Sequence, residues 1–164
     1  MANPIPIPID DIQPLYEIIA GLKRNAAITD YQMTDTTSKT LSTPLVLVID
    51  DDETIRQLLI ALLHEIEYSV ISASNGLAAL DMLKEHPVDL VITDIIMPGM
   101  EGLELVRNLK KYYPDIKIIA MSAYRASGQL DYLQHAKAFG VDQTFQKPFD
   151  VEQLLDTVKS LTTT

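Results

Sequence analysis

Asp50-Asp51-Asp52 stand directly behind Leu45-Val46-Leu47-Val48-Ile49, an apolar run that reads as a buried strand. Like charges a few ångströms apart raise each other's pKa and oppose folding. A core strand closed by such a triplet is therefore built to hold a cation. The pattern recurs downstream. Val88 to Thr93 ends in Asp94, Ile116 to Met121 ends in Ser122, and Val141 to Gln146 ends in Lys147-Pro148. Open parallel α/β sheets bind ligands at the carboxyl ends of their strands. Acid, acid, hydroxyl and ammonium at four such ends make a site for a divalent metal and a phosphoryl group.

The elements that must carry these groups alternate from Pro44 onward. A helix over about Glu53–Glu67 shows Ile55, Leu58, Leu59, Leu62 and Leu63 on one stripe. A short strand, Tyr68–Ser72, precedes Ser74-Asn75 as a helix start, with Leu77, Leu80 and Leu83 behind it. Strand 88–93 leads to a helix over Gly102–Tyr112, and strand 116–121 to one over Gln129–Phe139, which Gly140 stops from the position glycine favours past a helix. Strand 142–146 precedes a last helix running to about Leu161. Its start, Asp150 three residues before Gln153, reads as a capping box. Alternating units of this size imply a parallel sheet, doubly wound, with helices on both faces and right-handed crossovers.

Residues 1–43 differ in kind. Pro4, Pro6 and Pro8 favour an extended start. Leu15, Ile18, Ile19 and Leu22 recur at helical spacing over about 11–24, and 26–43 is a Thr/Ser-rich stretch with six threonines that reads as a linker. The chain thus divides into an N-terminal extension, 1–43, and one domain, 44–164.

Composition narrows the chemistry. Hydrophobic content is 47 %, enough for a real core, and there is no cysteine, which excludes disulfides, thiolate metal sites and thiol nucleophiles. Of the net charge of −10, residues 1–43 carry −2, so the domain holds −8. So acidic a body is repelled by nucleic acid and by anionic membranes. The N-terminus lacks the basic and apolar regions of a signal peptide, and no apolar run approaches the ~18 residues that cross a bilayer. A cytoplasmic location is expected. His64, His86 and His135 lack ligand spacing.

Val48-Ile49-Asp50-Asp51-Asp52-Glu53-Thr54-Ile55-Arg56, then Asp94-Ile95-Ile96-Met97-Pro98-Gly99-Met100-Glu101-Gly102, then Met121-Ser122-Ala123, then Lys147-Pro148-Phe149 resemble the response-regulator receiver domain of two-component signalling. The resemblance covers about 44–161. It implies a flavodoxin-like (βα)5 fold of five parallel strands in the order 2-1-3-4-5. It also implies that Asp94 is the phosphoacceptor, that Asp50, Asp51, Asp94 and the main-chain carbonyl of Ile96 hold Mg²⁺, and that Lys147 and Ser122 meet phosphoryl oxygens. The arginine that family carries six residues after its first pocket acid is here Arg56. That spacing leaves Asp52 at the helix start, where an acid suits the dipole. The Lys147–Pro148 bond is cis in the family.

The partners implied are a sensor histidine kinase or phosphotransfer protein as donor and a protein target downstream, with the chain a monomer or weak dimer. Its own chemistry would be limited to self-phosphorylation from a phosphodonor and slow autodephosphorylation. The last helix ends close to Thr164, which reads as a stand-alone receiver whose output works through an altered surface. One departure bears on that output. Three positions before the lysine the family places an aromatic switch, but here stands Thr144, with Phe145 on the other face. The signal is therefore expected to travel through the Ala123–Gly128 loop, with Tyr124 moving. Two alternatives carry different chemistry. Asp50-x-Asp52-x-Thr54 also fits the first motif of haloacid-dehalogenase-like phosphatases, with Asp50 as nucleophile and Asp52 as general acid. A partner-binding pseudo-receiver is the other, although every acceptor, metal and lysine position is filled.

Overall fold

A computed structural model describes residues 43–97, 102–123 and 132–163. They form β1 (Leu45–Ile49), α1 (Glu53–Glu65), β2 (Ser69–Ala73), α2 (Gly76–Glu85), β3 (Leu90–Asp94), α3 (Gly102–Tyr112), β4 (Lys117–Ala123), α4 (Tyr132–Ala138), β5 (Gln143–Lys147) and α5 (Val151–Thr162). The strands make one parallel sheet in the order β2-β1-β3-β4-β5, as expected. The extension 1–43, the turn 98–101, Tyr124 with most of its loop, and the expected start of α4 at Gln129 lie outside the described residues, save Thr43 itself.

Two apolar layers hold the sheet. Leu47, Ile49, Val91, Ile118 and Ala120 pack with Ala79 and Leu83 of α2, Leu105, Val106 and Leu109 of α3, and Ala136 of α4. Alternate strand residues point the other way. Val46, Val48, Leu90, Ile92, Ile119 and Met121 are fully buried there, and α1 and α5 supply cover through Leu59, Leu62, Leu63, Leu154, Leu155 and Val158. Burial on both faces explains why these strands read as continuous apolar runs.

Element ends differ from the sequence reading by small, explicable amounts. β3 runs two residues later than expected at its start and takes in Asp94, which closes the strand and pairs with Met121. β4 likewise takes in Ser122 and Ala123, and β5 takes in Lys147. Ladder pairing persists past the last apolar residue because it needs only backbone. α1 stops at Glu65 rather than Glu67. The Glu67 amide donates to His64 O and the Tyr68 amide to Leu63 O, with Glu67 at φ 63°. This is a Schellman ending with glutamate where glycine is usual. Gly140 has φ 85°, consistent with its expected stop role.

Two aspartates tie the lower rim of the sheet in the same way. Asp89, just before β3, donates its amide to Leu45 O and accepts the Leu45 amide on Oδ2 at 2.7 Å. Asp142, just before β5, donates to Ile118 O and accepts the Ile118 amide on Oδ2 at 2.9 Å. Each carboxylate satisfies an amide at the start of a parallel neighbour. Asp142 also meets Lys110 at 3.1 Å and Lys117 at 3.6 Å. Burial works to raise its pKa, but the Ile118 amide and the two lysines outweigh burial and hold it below the ordinary 3.8.

Among the described residues no helix is long and apolar enough to cross a membrane.

Candidate functional site

The sheet order reverses between β1 and β3, and the crevice beyond their carboxyl ends is where doubly wound folds place ligands. Asp50 follows β1 and Asp94 ends β3. Together with Asp51 they form a cluster in which one carboxylate oxygen from each residue lies within 4.8 Å of the others. Asp50 is fully buried and Asp94 5 % exposed, whereas Asp51 is exposed. The cluster therefore has two acids at its base and one at its mouth.

Lys147 brings the charge that makes this burial tolerable. Its Nζ donates to Asp50 Oδ2 at 2.6 Å and to Asp94 Oδ2 at 2.5 Å. Burial acts to lower the lysine pKa, yet the attraction of both carboxylates wins and raises it above 10.5. The ammonium is thus held charged. For Asp50 burial prevails, and its pKa rises above 3.8 against the pull of Lys147 and of the Asp52 amide. Two carboxylates sharing one ammonium leave the pocket acidic.

The turn after β1 sorts the three adjacent acids. Asp50 Oδ1 accepts the Asp52 amide at 3.0 Å, and the Asp50 carbonyl accepts from Arg56 Nη1 at 2.8 Å. Asp52 is the N-cap of α1, its Oδ1 accepting the Thr54 amide at 2.8 Å and that of Ile55 at 3.4 Å. Asp52 thus stands where the six-residue spacing to Arg56 left it. A carboxylate committed to the helix amides is unsuited to the general-acid role of the phosphatase alternative, which is not favoured.

Around Asp94 the Ile96 amide donates to Oδ1 at 2.7 Å. Ser122 is buried on β4 one residue past the partner of Asp94, its hydroxyl donating weakly to Ala123 O at 3.3 Å. Ala123 pairs with Lys147 across β4 and β5, and the Lys147–Pro148 peptide is cis. Thr144 is half-buried opposite Ala120, while Phe145 is buried opposite Met121.

Two contributors were given no site role from the sequence, although Gly102 ends the second quoted motif and opens the expected helix. Thr93 is buried and donates its hydroxyl to the carbonyl of Asp94 at 2.8 Å. Gly102, at the start of α3, presses on the same chain segment. Its place eight residues after Asp94 was a visible signal; a threonine inside an apolar strand offered none.

The donor set is all oxygen, with no cysteine in the chain, and suits a hard cation such as Mg²⁺.

Residues 46–159 match the family described as response regulator receiver domain. The chain is similar to Sporulation initiation phosphotransferase F of Bacillus subtilis, 39 % identical over 114 residues that cover 70 % of this chain and 90 % of that protein. It is 31 % identical over 119 residues to the response regulator receiver protein CpdR of Brucella abortus, covering 71 % and 94 %. Among solved structures, response regulator protein TrrA of Thermotoga maritima, in complex with Mg²⁺-BeF, matches with 35 % identity and a TM-score of 0.64, over 73 % of this chain and 99 % of that one. Receiver domains are phosphoacceptors that bind Mg²⁺ at an acidic pocket of this kind. From fold, pocket and kinship together, this chain belongs to the response-regulator receiver domains of two-component signalling.

Proposed function

We propose that Asp94 accepts a phosphoryl group from a sensor histidine kinase or a phosphotransfer protein. The observation that carries this is the shared lysine. Lys147 bonds Asp94 and Asp50 at once, so a fixed positive charge lies beside the nucleophilic carboxylate. A carboxylate needs no deprotonation at neutral pH. In the transfer one Asp94 oxygen forms a bond to phosphorus while the donor's P–N or P–O bond breaks, its electron pair leaving with the donor. The product is an acyl phosphate.

Phosphoryl transfer is mainly positioning and charge neutralisation. The carboxylates of Asp50, Asp51 and Asp94 and the carbonyl of Ile96 would hold Mg²⁺, which supplies charge neutralisation at the phosphoryl oxygens. Lys147 takes one phosphoryl oxygen by swinging from its carboxylates, and the Ser122 hydroxyl turns from Ala123 O to take another. The Ile96 amide keeps Asp94 oriented. The chain turns over no substrate beyond its own phosphorylation and slow autodephosphorylation. It works in the cytoplasm, with residues 1–43 an extension of the receiver 44–164. It signals to a protein target through an altered surface that includes Ala123, Tyr124, Thr144 and Pro148.

Acetyl phosphate with Mg²⁺, read by intact mass, tests this. One acid-labile adduct is expected, absent without Mg²⁺ and absent in Asp94→Asn. An unchanged adduct in Asp94→Asn, with loss in Asp50→Asn, overturns the assignment.

A further inference from the structure

We infer that Arg56 is a positioning residue for the acidic pocket, holding the Asp50–Asp51 peptide in the orientation from which both carboxylates serve the metal. The inference rests on the proposed metal-assisted phosphoacceptor role. Its starting point is a cation in an unfavourable place. Arg56 lies one turn into α1, where the helix dipole disfavours positive charge. It nonetheless reaches back six residues to the Asp50 carbonyl at 2.8 Å and is half-buried in doing so. An arginine spending its side-chain entropy near the positive end of a helix needs an offsetting contact, and among the described residues its side-chain hydrogen bond goes to that carbonyl.

The carbonyl lies beyond the last ladder pair of β1 and β2, Ile49 with Ala73. The Asp50 amide still reaches Ala73 O, at a long 3.3 Å. Past that point the sheet stops defining the chain, yet the next residue is the exposed acid of the cluster. The Asp50 carbonyl and the Asp51 amide share one planar peptide unit. Fixing the carbonyl fixes that plane, and with it the directions in which the Asp50 and Asp51 side chains leave the backbone. The Asp52 amide, bonded to Asp50 Oδ1, closes the turn from the other side.

Positioning and simple charge predict opposite signs. Removing a nearby positive charge strengthens cation binding by an acidic cluster, whereas loosening the turn weakens it. Mg²⁺ affinity is measured by isothermal titration calorimetry on wild type, Arg56→Ala and Arg56→Lys, with labelling by acetyl phosphate followed against Mg²⁺ concentration. The expected result is an apparent Kd raised about tenfold in Arg56→Ala, the lower end of the loss seen when an outer-shell support of a metal ligand is removed. The Mg²⁺ concentration for half-maximal labelling shifts by the same factor, while the labelling reached at saturation changes less. Arg56→Lys keeps the charge but lacks the reach, and a weakened affinity is expected there too. It carries the test if the alanine variant fails to fold. Tighter or unchanged binding in either variant, even with a lowered melting temperature, overturns the inference. A wild-type chain that neither binds Mg²⁺ nor takes a phosphoryl group overturns the metal-assisted role itself, a result distinct from any change between variants.

Discussion

Gly102 lies so close to the chain leaving β3 that a Cβ built on it would stand 2.3 Å from Ile95 Cα and 2.6 Å from the carbonyl oxygen of Asp94. Both neighbours are backbone, so neither can turn aside. The start of α3 is thereby seated on the main chain of Asp94, the proposed acceptor. Gly102→Ala is expected to cost about 3 kcal/mol, the upper part of the range for overpacking a filled interior, in urea denaturation. The same variant should label more slowly with acetyl phosphate, because relief of the clash must move the peptide that carries Asp94. Unchanged stability and labelling would show that α3 shifts without consequence.

Asp94 and Asp50 draw on one ammonium, and Asp51 adds a third negative charge at the mouth. Replacing Asp94 with asparagine keeps the shape and an oxygen for the Ile96 amide while removing a repelled charge. Without metal, Asp94→Asn should melt higher than wild type by roughly 4 °C, equivalent to about 1 kcal/mol. Adding Mg²⁺ should raise the wild-type melting temperature by mass action and the variant's less. A lower metal-free melting temperature in the variant would mean that Lys147 already satisfies both acids.

The lower rim supplies a pH dependence. Asp142 titrates below 3.8 in the folded chain. Its stabilisation is therefore complete above that ordinary value and is lost as pH falls through the lower folded value. Asp142→Asn should be less stable than wild type at pH 7, and the two should converge as pH drops well below 4. Melting curves across that range check it; a gap that stays constant assigns the loss to something other than the carboxylate charge.

Glu67 holds a left-handed conformation at the end of α1, φ 63°, with its side chain in solvent. That conformation is costly for any residue with a Cβ. Glu67→Gly should therefore stabilise the domain by about 1 kcal/mol, the reverse of the usual effect of glycine. Denaturant midpoints decide it, and a destabilised variant would show that the turn does not depend on this conformation.

The fold and the pocket acids were legible for one reason. Strands β1, β3 and β4, buried on both faces, are written as apolar runs, so Asp50, Asp94 and Ser122 stood out as polar residues closing them. Lys147 instead closes the largely polar edge strand β5 and was marked by its proline neighbour. Their ends were less legible, since Asp94 and Ser122 are polar yet still paired in the ladder. The end of α1 misled because Glu67 carries no mark of its left-handed backbone. What could not be read at all were bonds from side chain to distant main chain. Nothing in the residue types says that Thr93 turns to its neighbour's carbonyl, or that Asp89 closes on Leu45 across 44 residues. Such bonds depend on which amides and carbonyls the finished sheet leaves over.

The bond between Asp89 and Leu45 has a mechanical consequence. β1 lies between β2 and β3, and its first amide is clamped at the point where the chain enters the sheet. Tension applied at Thr43 runs along β1 and loads the ladders on both sides together, lengthwise, so that their bonds must slide in concert instead of unzipping singly. A pull on the preceding segment would meet its stiffest resistance at this threshold, leaving the acidic pocket at the far end of the same strand shielded from the strain.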